Sequence, residues 1–194
     1  MTFRIGIISD THGLLRPEAE RHLTGVDQII HGGDIGHSDI IGALRKIAPV
    51  AAIRGNVDTG DWAGEYADTK LVRLAGRAIF VLHDLRTLQI DPVALGIDVV
   101  VCGHSHVPKI DTVGGVLYLN PGSAGRRRFK LPITLATLEI TPDSLRPVIH
   151  DLERDWIPPE VLEGPLQRWR LEKDERGSES ETDTNAHRAG RPSR

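Results

Sequence analysis

Acidic and imidazole side chains follow an apolar run near the start of this 194-residue chain. Asp10 and His12 come directly after Ile7-Ile8-Ser9, and a carboxylate and an imidazole together bind a transition metal well. Alone, an Asp-x-His triplet after a strand more often marks a turn with a capping aspartate. The interpretation changes here because four later apolar runs end in the same way.

Each of the other four exits also carries an oxygen or imidazole donor. These donors are Asp34, Asn56, His83, and the pair His104 and His106. Taken singly, Asp34 can cap a turn, Asn56 can hold a left-handed backbone, and His83 can be a structural histidine. Ligands of open sheets gather beyond the carboxyl ends of the strands, so five such exits in one chain predict a metal site.

The elements that must position these residues alternate in the first half of the chain and are mainly strands in the second. Apolar runs predict strands at residues 3–9, 26–31, 50–53, 70–74, 78–82, 97–102, 109–113, 116–119, 133–140 and 144–149. Helical spacing predicts helices at 17–23 and at 38–47, the latter capped by Ser38 or Asp39, and a weaker helix at 92–95. Two packed sheets with outer helices accommodate this order.

Composition excludes several classes of protein. The hydrophobic share of 39% and the charged share of 26% are ordinary for a globular domain, and a net charge of -3 gives no broad attraction to nucleic acid or anionic membrane. One cysteine cannot form an internal disulfide or a cysteine zinc cage. We find no signal peptide and no apolar run of membrane-spanning length, so we expect a cytoplasmic protein without membrane contact.

The chain divides by composition into a domain and a tail. Residues 1–152 carry all the motifs and nearly all the apolar runs, whereas residues 153–194 are polar. We expect a helix at 161–173 within this tail. Beyond Arg176 there is almost nothing to bury, which predicts disorder.

The ordered motifs resemble those of the calcineurin-like metallophosphoesterases. The motifs are Asp10-x-His12, Gly33-Asp34, Gly55-Asn56-x-Asp58, His83 and Gly103-His104-x-His106. Asn120-Pro121-Gly122-Ser123 further resembles the small bacterial and archaeal phosphodiesterase branch. The resemblance covers roughly residues 1–152 and implies an α/β (α+β) fold, a four-layer αββα sandwich of two mixed β-sheets flanked by helices.

The same resemblance implies two divalent metal ions that share Asp34. The ligands of the first metal would be Asp10, His12, Asp34 and His106. The ligands of the second would be Asp34, Asn56, His83 and His104. Asp34, Asn56 and His104 are expected to be catalytic. Mixed imidazole and carboxylate ligands suit Mn, Ni, Co, Fe or Zn, and we expect manganese.

This metal pair predicts hydrolysis of a small phosphate ester, by attack of a hydroxide that bridges the two ions. A phosphodiesterase is favoured over a monoesterase. The alternative is a non-catalytic metal-binding or interaction scaffold, because the retromer scaffold subunit resembles this fold. A nuclease is less favoured because the composition shows no basic groove. Relatives of this branch often self-associate, so a homo-oligomer is also expected.

Two departures from the family pattern stand beside the motifs. Many relatives place a histidine after the motif asparagine, where it is thought to protonate the leaving group, and small phosphodiesterases often carry cysteine there. Here the residue is Val57, which can neither donate a proton nor bind a metal. Asp84 stands where relatives commonly have glycine, and it either orients the His83 imidazole or serves only the turn.

Several other polar residues have a structural explanation. We expect Asp58 to support its loop, His31 and His37 to be structural or solvent-facing, and Cys102 to be an inert core residue. Arg126-Arg127-Arg128 is either a solvated face or the source of one arginine that grips a substrate phosphate.

Overall fold

The computed structural model describes residues 2–153. In that range the strands are β1 (Phe3–Ile8), β2 (Gln28–His31), β3 (Val50–Ala52), β4 (Thr69–Leu74), β5 (Arg77–Leu82), β6 (Val99–Val101), β7 (Lys109–Val113), β8 (Val116–Asn120), β9 (Thr134–Ile140) and β10 (Leu145–Asp151). The α-helices are α1 (Pro17–Leu23) and α2 (Ser38–Leu44), and short 3₁₀ helices span Asp61–Glu65 and Leu85–Thr87. The tail predicted from residue 153, with its helix at 161–173, lies beyond this range except for Glu153.

The strands form two mixed five-stranded sheets. The first has the order β10-β9-β1-β2-β3, with β1, β2 and β3 parallel and β9 and β10 antiparallel to their neighbours. The second has the order β4-β5-β6-β8-β7, with a parallel centre and antiparallel edge strands. This arrangement confirms the predicted fold class.

The main core lies between the two sheets. Alternate residues of β1, such as Ile5 and Ile7, share one buried apolar cluster with Val81 of β5 and Val101 of β6. Strand β1 is buried on both faces, as its nearly continuous isoleucines predict. The sandwich therefore fixes where the carboxyl ends of β1 and β6 emerge.

The outer faces of the two sheets are covered differently. Helices α1 and α2 cover the first sheet, where Ile8 clusters with Leu23 and Leu44. The second sheet is covered by the 3₁₀ helix Leu85–Thr87 and the turns after it, with Leu85 and Leu88 packed against the cluster that contains Cys102. The weak helix predicted at 92–95 is a run of turns.

Helix α2 is capped by the residue before the predicted caps. Its N-cap is His37, whose Nδ1 accepts a hydrogen bond from the Asp39 backbone nitrogen at 3.3 Å, so the prediction of Ser38 or Asp39 as the cap was wrong. An imidazole nitrogen does here what a serine or aspartate oxygen usually does. Within the described residues no helix is long and apolar enough to cross a membrane.

Candidate metal centre

The strand β1 ends where Asp10 and His12 enter a tight turn. The backbone nitrogen of Asp10 donates to Gly33 O at 3.0 Å, and that of His12 donates to Asp34 O at 3.0 Å. The segment after β1 is thereby paired with the segment after β2. These backbone bonds bring the first two sequence motifs side by side before any side-chain contact is considered.

Left-handed backbone conformations concentrate at the predicted ligands. Among the described residues, seven that are not glycine have positive φ, and five of them are Asp10, His12, Asp34, His104 and His106, with φ between 46° and 66°. Each such residue costs roughly 1–3 kcal/mol unless its surroundings stabilise it, and such costs cluster at functional sites. With this backbone, Asp10 and His12 bring their ligand atoms to within 4.8 Å of each other.

One compact group of donors joins Asp10, His12 and His106, whose ligand atoms all lie within 4.8 Å of one another. His106 Nε2 is 3.1 Å from Asp10 Oδ1 and 3.4 Å from His12 Nε2. His12 Nε2 also lies 3.8 Å from Asp34 Oδ2. The four predicted ligands of the first metal are thus brought together.

A second group joins Asp10, Asp34 and His83 within the same limit. His83 Nε2 is 3.3 Å from Asp34 Oδ1, while its Nδ1 lies 2.8 Å from the Gly32 carbonyl oxygen. Because a carbonyl only accepts, His83 must carry its proton on Nδ1, and the Nε2 lone pair then faces the Asp34 carboxylate. Asp34 accordingly lies between His12 on one side and His83 on the other.

Asn56 and His104 lie beside each other at the rim of this centre. Asn56 Oδ1 is 3.0 Å from His104 Nδ1, and His104 Nε2 is 2.8 Å from Arg86 Nη2 and 3.7 Å from Asp84 Oδ2. The imidazole of His104 is one-third exposed and belongs to neither compact group. Its backbone nitrogen, however, donates to Asp10 Oδ2 at 3.2 Å, which ties this loop to the first motif.

The donors in this centre fit a divalent transition metal. Asp10 Oδ1 and His83 Nε2 are buried without a hydrogen bond, although an imidazole nitrogen lies 3.1 Å from the first and a carboxylate oxygen lies 3.3 Å from the second. Buried polar atoms are nearly always satisfied, so orphaned donors and acceptors facing each other favour a cation between them. Imidazole nitrogens with carboxylate oxygens are the mixed donor set that such metals take.

Electrostatics within the centre favour the metal-binding protonation state at His12 and Asp34 but oppose it at His83. Burial lowers the pKa of His12 and outweighs the Asp34 and Asp10 carboxylates, which raise it, so this imidazole is neutral and able to bind at neutral pH. Burial alone would raise the pKa of Asp34, but the His83 imidazole and the Val57 backbone nitrogen outweigh it and lower that pKa. For His83 burial acts to lower the pKa, and the Asp34 carboxylate outweighs it, so the pKa is raised.

Several supporting residues were not found from the sequence. Ser9 Oγ donates to Asp10 Oδ2 at 2.7 Å, and Ser123 Oγ donates to the Asp10 carbonyl oxygen at 3.0 Å. Asn120 Nδ2 donates to Gly103 O at 2.8 Å and Asn120 Oδ1 accepts from Gly122 N at 2.9 Å, which shapes the loop that carries His104. The Asn-Pro-Gly-Ser motif was the available signal, but a motif alone does not say which backbone atoms it holds.

The residues with structural explanations mostly behave as expected. Asp58 accepts from the backbone nitrogens of Ile35, Gly36 and Gly55, so it supports the loops around Asp34. His31 is fully buried, with Nε2 3.0 Å from Thr11 Oγ1, and burial lowers its pKa to about 4. Burial likewise raises the pKa of the Cys102 thiol to about 12, as befits an inert core residue.

The structure shows what Asp84 and the three consecutive arginines contact. Asp84 caps the 3₁₀ helix that follows it and binds the Arg86 guanidinium, and its Oδ2 lies 3.7 Å from His104 Nε2. Arg127 is held by Glu153. Arg128 Nη2 is 3.5 Å from His12 Nε2, so it is the arginine of this run that reaches the centre.

Comparison with known proteins places this geometry among phosphoesterases. Residues 3–143 match the model of the calcineurin-like phosphoesterase superfamily domain. A probable metallophosphoesterase of Methanocaldococcus jannaschii is 36% identical over 131 residues, which are 63% of this chain and 68% of that protein. A solved structure of an archaeal phosphodiesterase has a TM-score of 0.60 at 24% identity, covering 76% of this chain and 99% of that one. Vacuolar protein sorting 29 from Cryptosporidium parvum has a TM-score of 0.68 at 19% identity, covering 79% of this chain and 93% of that one.

Proposed function

We propose that this chain, which belongs to the calcineurin-like phosphoesterase superfamily of metal-dependent phosphoesterases, hydrolyses a small phosphodiester with two divalent metal ions. The single observation that carries the proposal is the position of Asp34. Its Oδ2 faces His12 at 3.8 Å and its Oδ1 faces His83 at 3.3 Å, so one carboxylate can serve two adjacent metal positions.

Seven side chains would hold the metals. The first ion would be bound by Asp10, His12, Asp34 and His106, and the second by Asp34, Asn56, His83 and His104. When bound, two such ions supply a hydroxide near neutral pH and stabilise the charge on the attacking and leaving oxygens. Manganese is our first expectation, and Ni, Co, Fe and Zn suit the same donors.

The chain's own residues orient these ligands. The Gly32 carbonyl fixes the His83 tautomer, and the Val57 backbone nitrogen holds Asp34 Oδ1 at 3.1 Å. Ser9 and the His104 backbone nitrogen both donate to Asp10 Oδ2, which leaves Oδ1 directed at His106. Such outer partners set ligand orientation, and their loss commonly costs 10- to 100-fold in metal affinity or activity.

A diester with a good leaving group is the favoured substrate because of Val57. This side chain cannot protonate a leaving oxygen, and proton donation ordinarily contributes about 10²- to 10⁴-fold. Substrates whose leaving group departs as a stable anion lose least from that absence. The expectations of a cytoplasmic location and of self-association remain predictions.

The first test is hydrolysis of bis-p-nitrophenyl phosphate by metal-stripped protein with and without added Mn²⁺. We expect turnover only with metal, and none in Asp34→Ala. Asp39→Ala is the matched control, because that carboxylate is 87% exposed and lies on α2 away from the donors. Turnover by Asp34→Ala at the rate of the wild type would refute the assignment of Asp34.

The second candidate function is a non-catalytic interaction scaffold that keeps a metal site. Val57 favours the scaffold, because valine at this position cannot donate a proton and does not disturb the fold. A scaffold would remain inactive on diesters and monoesters with every metal tried, even though metal analysis showed bound ions. An enzyme would show metal-dependent release of p-nitrophenol.

A further inference from the structure

The loop that follows the Asn-Pro-Gly-Ser motif is held firmly at its base. We call residues 126–131, between β8 and β9, the 126–131 loop. Arg16 Nε donates to Gly125 O at 3.0 Å just before it, and Arg127 binds both Glu153 and the Leu131 carbonyl oxygen. Leu131 N donates to Arg128 O at 3.2 Å and closes a turn. The base of this loop is therefore anchored on both sides of Phe129 and Lys130.

Arg128 begins that turn and reaches inward. Its Nη2 lies 3.5 Å from His12 Nε2, beside the first group of donors. A guanidinium is always charged and can bind two phosphate oxygens at once. The residue that follows Arg128 in the chain is therefore adjacent to a side chain that reaches the first group of donors.

That following residue is Phe129, and it combines two unfavourable features. It is 92% exposed, the highest value among the exposed large apolar residues of the described chain. Its φ is +53°, at the second position of the turn, where glycine, asparagine or aspartate is usual. A bulky residue in this conformation is a genuine outlier, and neither folding nor solubility explains why the chain places an aromatic ring there.

We propose that Phe129 is a specificity-determining residue, and that a nucleobase of the substrate stacks on its ring while Arg128 contacts the phosphate. The proposal rests on the phosphodiesterase function proposed above and narrows its substrate to a nucleotide ester. Nucleotides are the common phosphate esters that carry a planar aromatic group. Stacking on an exposed aromatic side chain accepts any base, because every base has a π-face.

The test compares two diesters that share a leaving group and differ only in the other substituent. These are the p-nitrophenyl esters of thymidine 5′-phosphate and of methyl phosphate, assayed with Mn²⁺-loaded full-length protein. We expect the wild type to prefer the thymidine ester. In Phe129→Ala, kcat/KM for that ester should fall about tenfold, whereas the value for the methyl ester should stay within twofold.

Two variants serve as controls. Phe129→Trp keeps a stacking surface and should retain the preference for the thymidine ester. Leu95→Ala removes another exposed apolar side chain, 59% exposed and placed before β6, and should change neither ester. The thermal unfolding midpoint of each variant shows that the fold is intact.

Several results would overturn the proposal. One is a wild type that shows no preference between the two esters, and another is an equal loss of kcat/KM on both esters in Phe129→Ala. A third is unchanged selectivity in Phe129→Ala together with weakened self-association, which would assign Phe129 to contact between copies. Calorimetric binding of thymidine 5′-monophosphate separates this proposal from the proposed function. Failure of the wild type to hydrolyse either ester refutes the phosphodiesterase, while equal nucleotide binding by wild type and Phe129→Ala refutes the stacking.

Discussion

Val57 occupies the position beside Asn56 where a proton donor is found in many relatives. Its side chain is 41% exposed at the site, and its backbone nitrogen holds Asp34 Oδ1. The main chain thus keeps its role in orienting Asp34 while the side chain contributes no proton. This separation makes position 57 suitable for substitution.

Val57→His should restore proton donation to the leaving group. We expect little change for p-nitrophenyl esters, because p-nitrophenolate leaves readily as an anion. For an alkyl diester such as dimethyl phosphate we expect a gain of about 10²-fold or more. The measurement is kcat/KM for both ester types with Mn²⁺. Val57→Leu, which adds bulk without a proton, should accelerate neither.

If Val57→His left the alkyl esters as slow as in the wild type while metal content was unchanged, the absence of a general acid would not explain substrate choice.

The candidate ligands could be predicted from the sequence, but most of the residues that hold them in place could not. Asp10, Asp34 and His106 each belong to a motif with a recognisable spacing, so the pattern indicates them. Ser9 and Ser123 each donate a hydrogen bond to Asp10, and serines are too common for such roles to be read from spacing. The left-handed backbone at the ligands is likewise imposed by tertiary contacts.

At the scale of the elements, apolar runs predicted the strands because burial on both faces leaves a strong signal in β1 and β6. The ends were less predictable, since helix α2 stops at Leu44 rather than at residue 47 and takes His37 as its cap. The short apolar stretch at 92–95 suits a turn equally well, because too few residues are present to show helical spacing.

The loops after β1 and β2 touch where Gly36 faces the backbone of the His12 turn. A Cβ at Gly36, whose φ is +84°, would lie 2.4 Å from Gly13 N and 2.5 Å from His12 C. Gly25 has a similar φ of +79° with nothing within 4 Å of its Cβ position. The two glycines therefore differ only in the close approach.

Gly36→Ala should destabilise the protein more than Gly25→Ala. Both substitutions carry the left-handed strain of about 1–2 kcal/mol, and Gly36→Ala adds a clash that typically costs about 1–3 kcal/mol. Because the clash displaces His12, we also expect weaker metal binding in Gly36→Ala alone. Urea unfolding and metal titration measure the two effects. Equal unfolding free energies in the two variants would contradict the close approach.

At the scale of the whole domain, the candidate ligands come from both sheets. Asp10 and Asp34 follow strands of the first sheet, whereas His83 and His106 follow strands of the second. A metal bound between them would join the carboxyl ends of the two sheets. Binding to the folded state alone stabilises it by about 2.7 kcal/mol at a metal concentration 100 times Kd.

Removal of metal should therefore lower the unfolding temperature by roughly 5–10 °C. The measurement is thermal unfolding in EDTA and in excess Mn²⁺. Asp34→Asn should lose most of the shift, because one carboxylate contacts both groups, while Asp39→Asn should keep it. A full shift in Asp34→Asn would mean that metal stabilises the protein from another site.

Stability in acid should depend on His150, which is not among the predicted metal ligands. His150 on β10 lies 2.8 Å from Thr137 Oγ1 and stacks near His22 of α1, with ring centroids 4.8 Å apart. Burial, and then the neighbouring His22 and Arg4, lower its pKa from 6.5 to about 4. The unfolded chain therefore binds the proton first, so this contribution to stability is complete above pH 6.5 and is lost as the pH falls toward 4.

His150→Gln should consequently flatten the fall in unfolding free energy between pH 7 and pH 4.5. We expect a difference of roughly 1–2 kcal/mol over that range, less than the full pKa shift implies because the ring is only partly buried. Urea unfolding in EDTA measures it without metal binding to histidine ligands. His31, whose pKa burial also lowers to about 4, contributes in the same direction and keeps some slope in the variant. An identical slope in His150→Gln would remove His150 from the acid response.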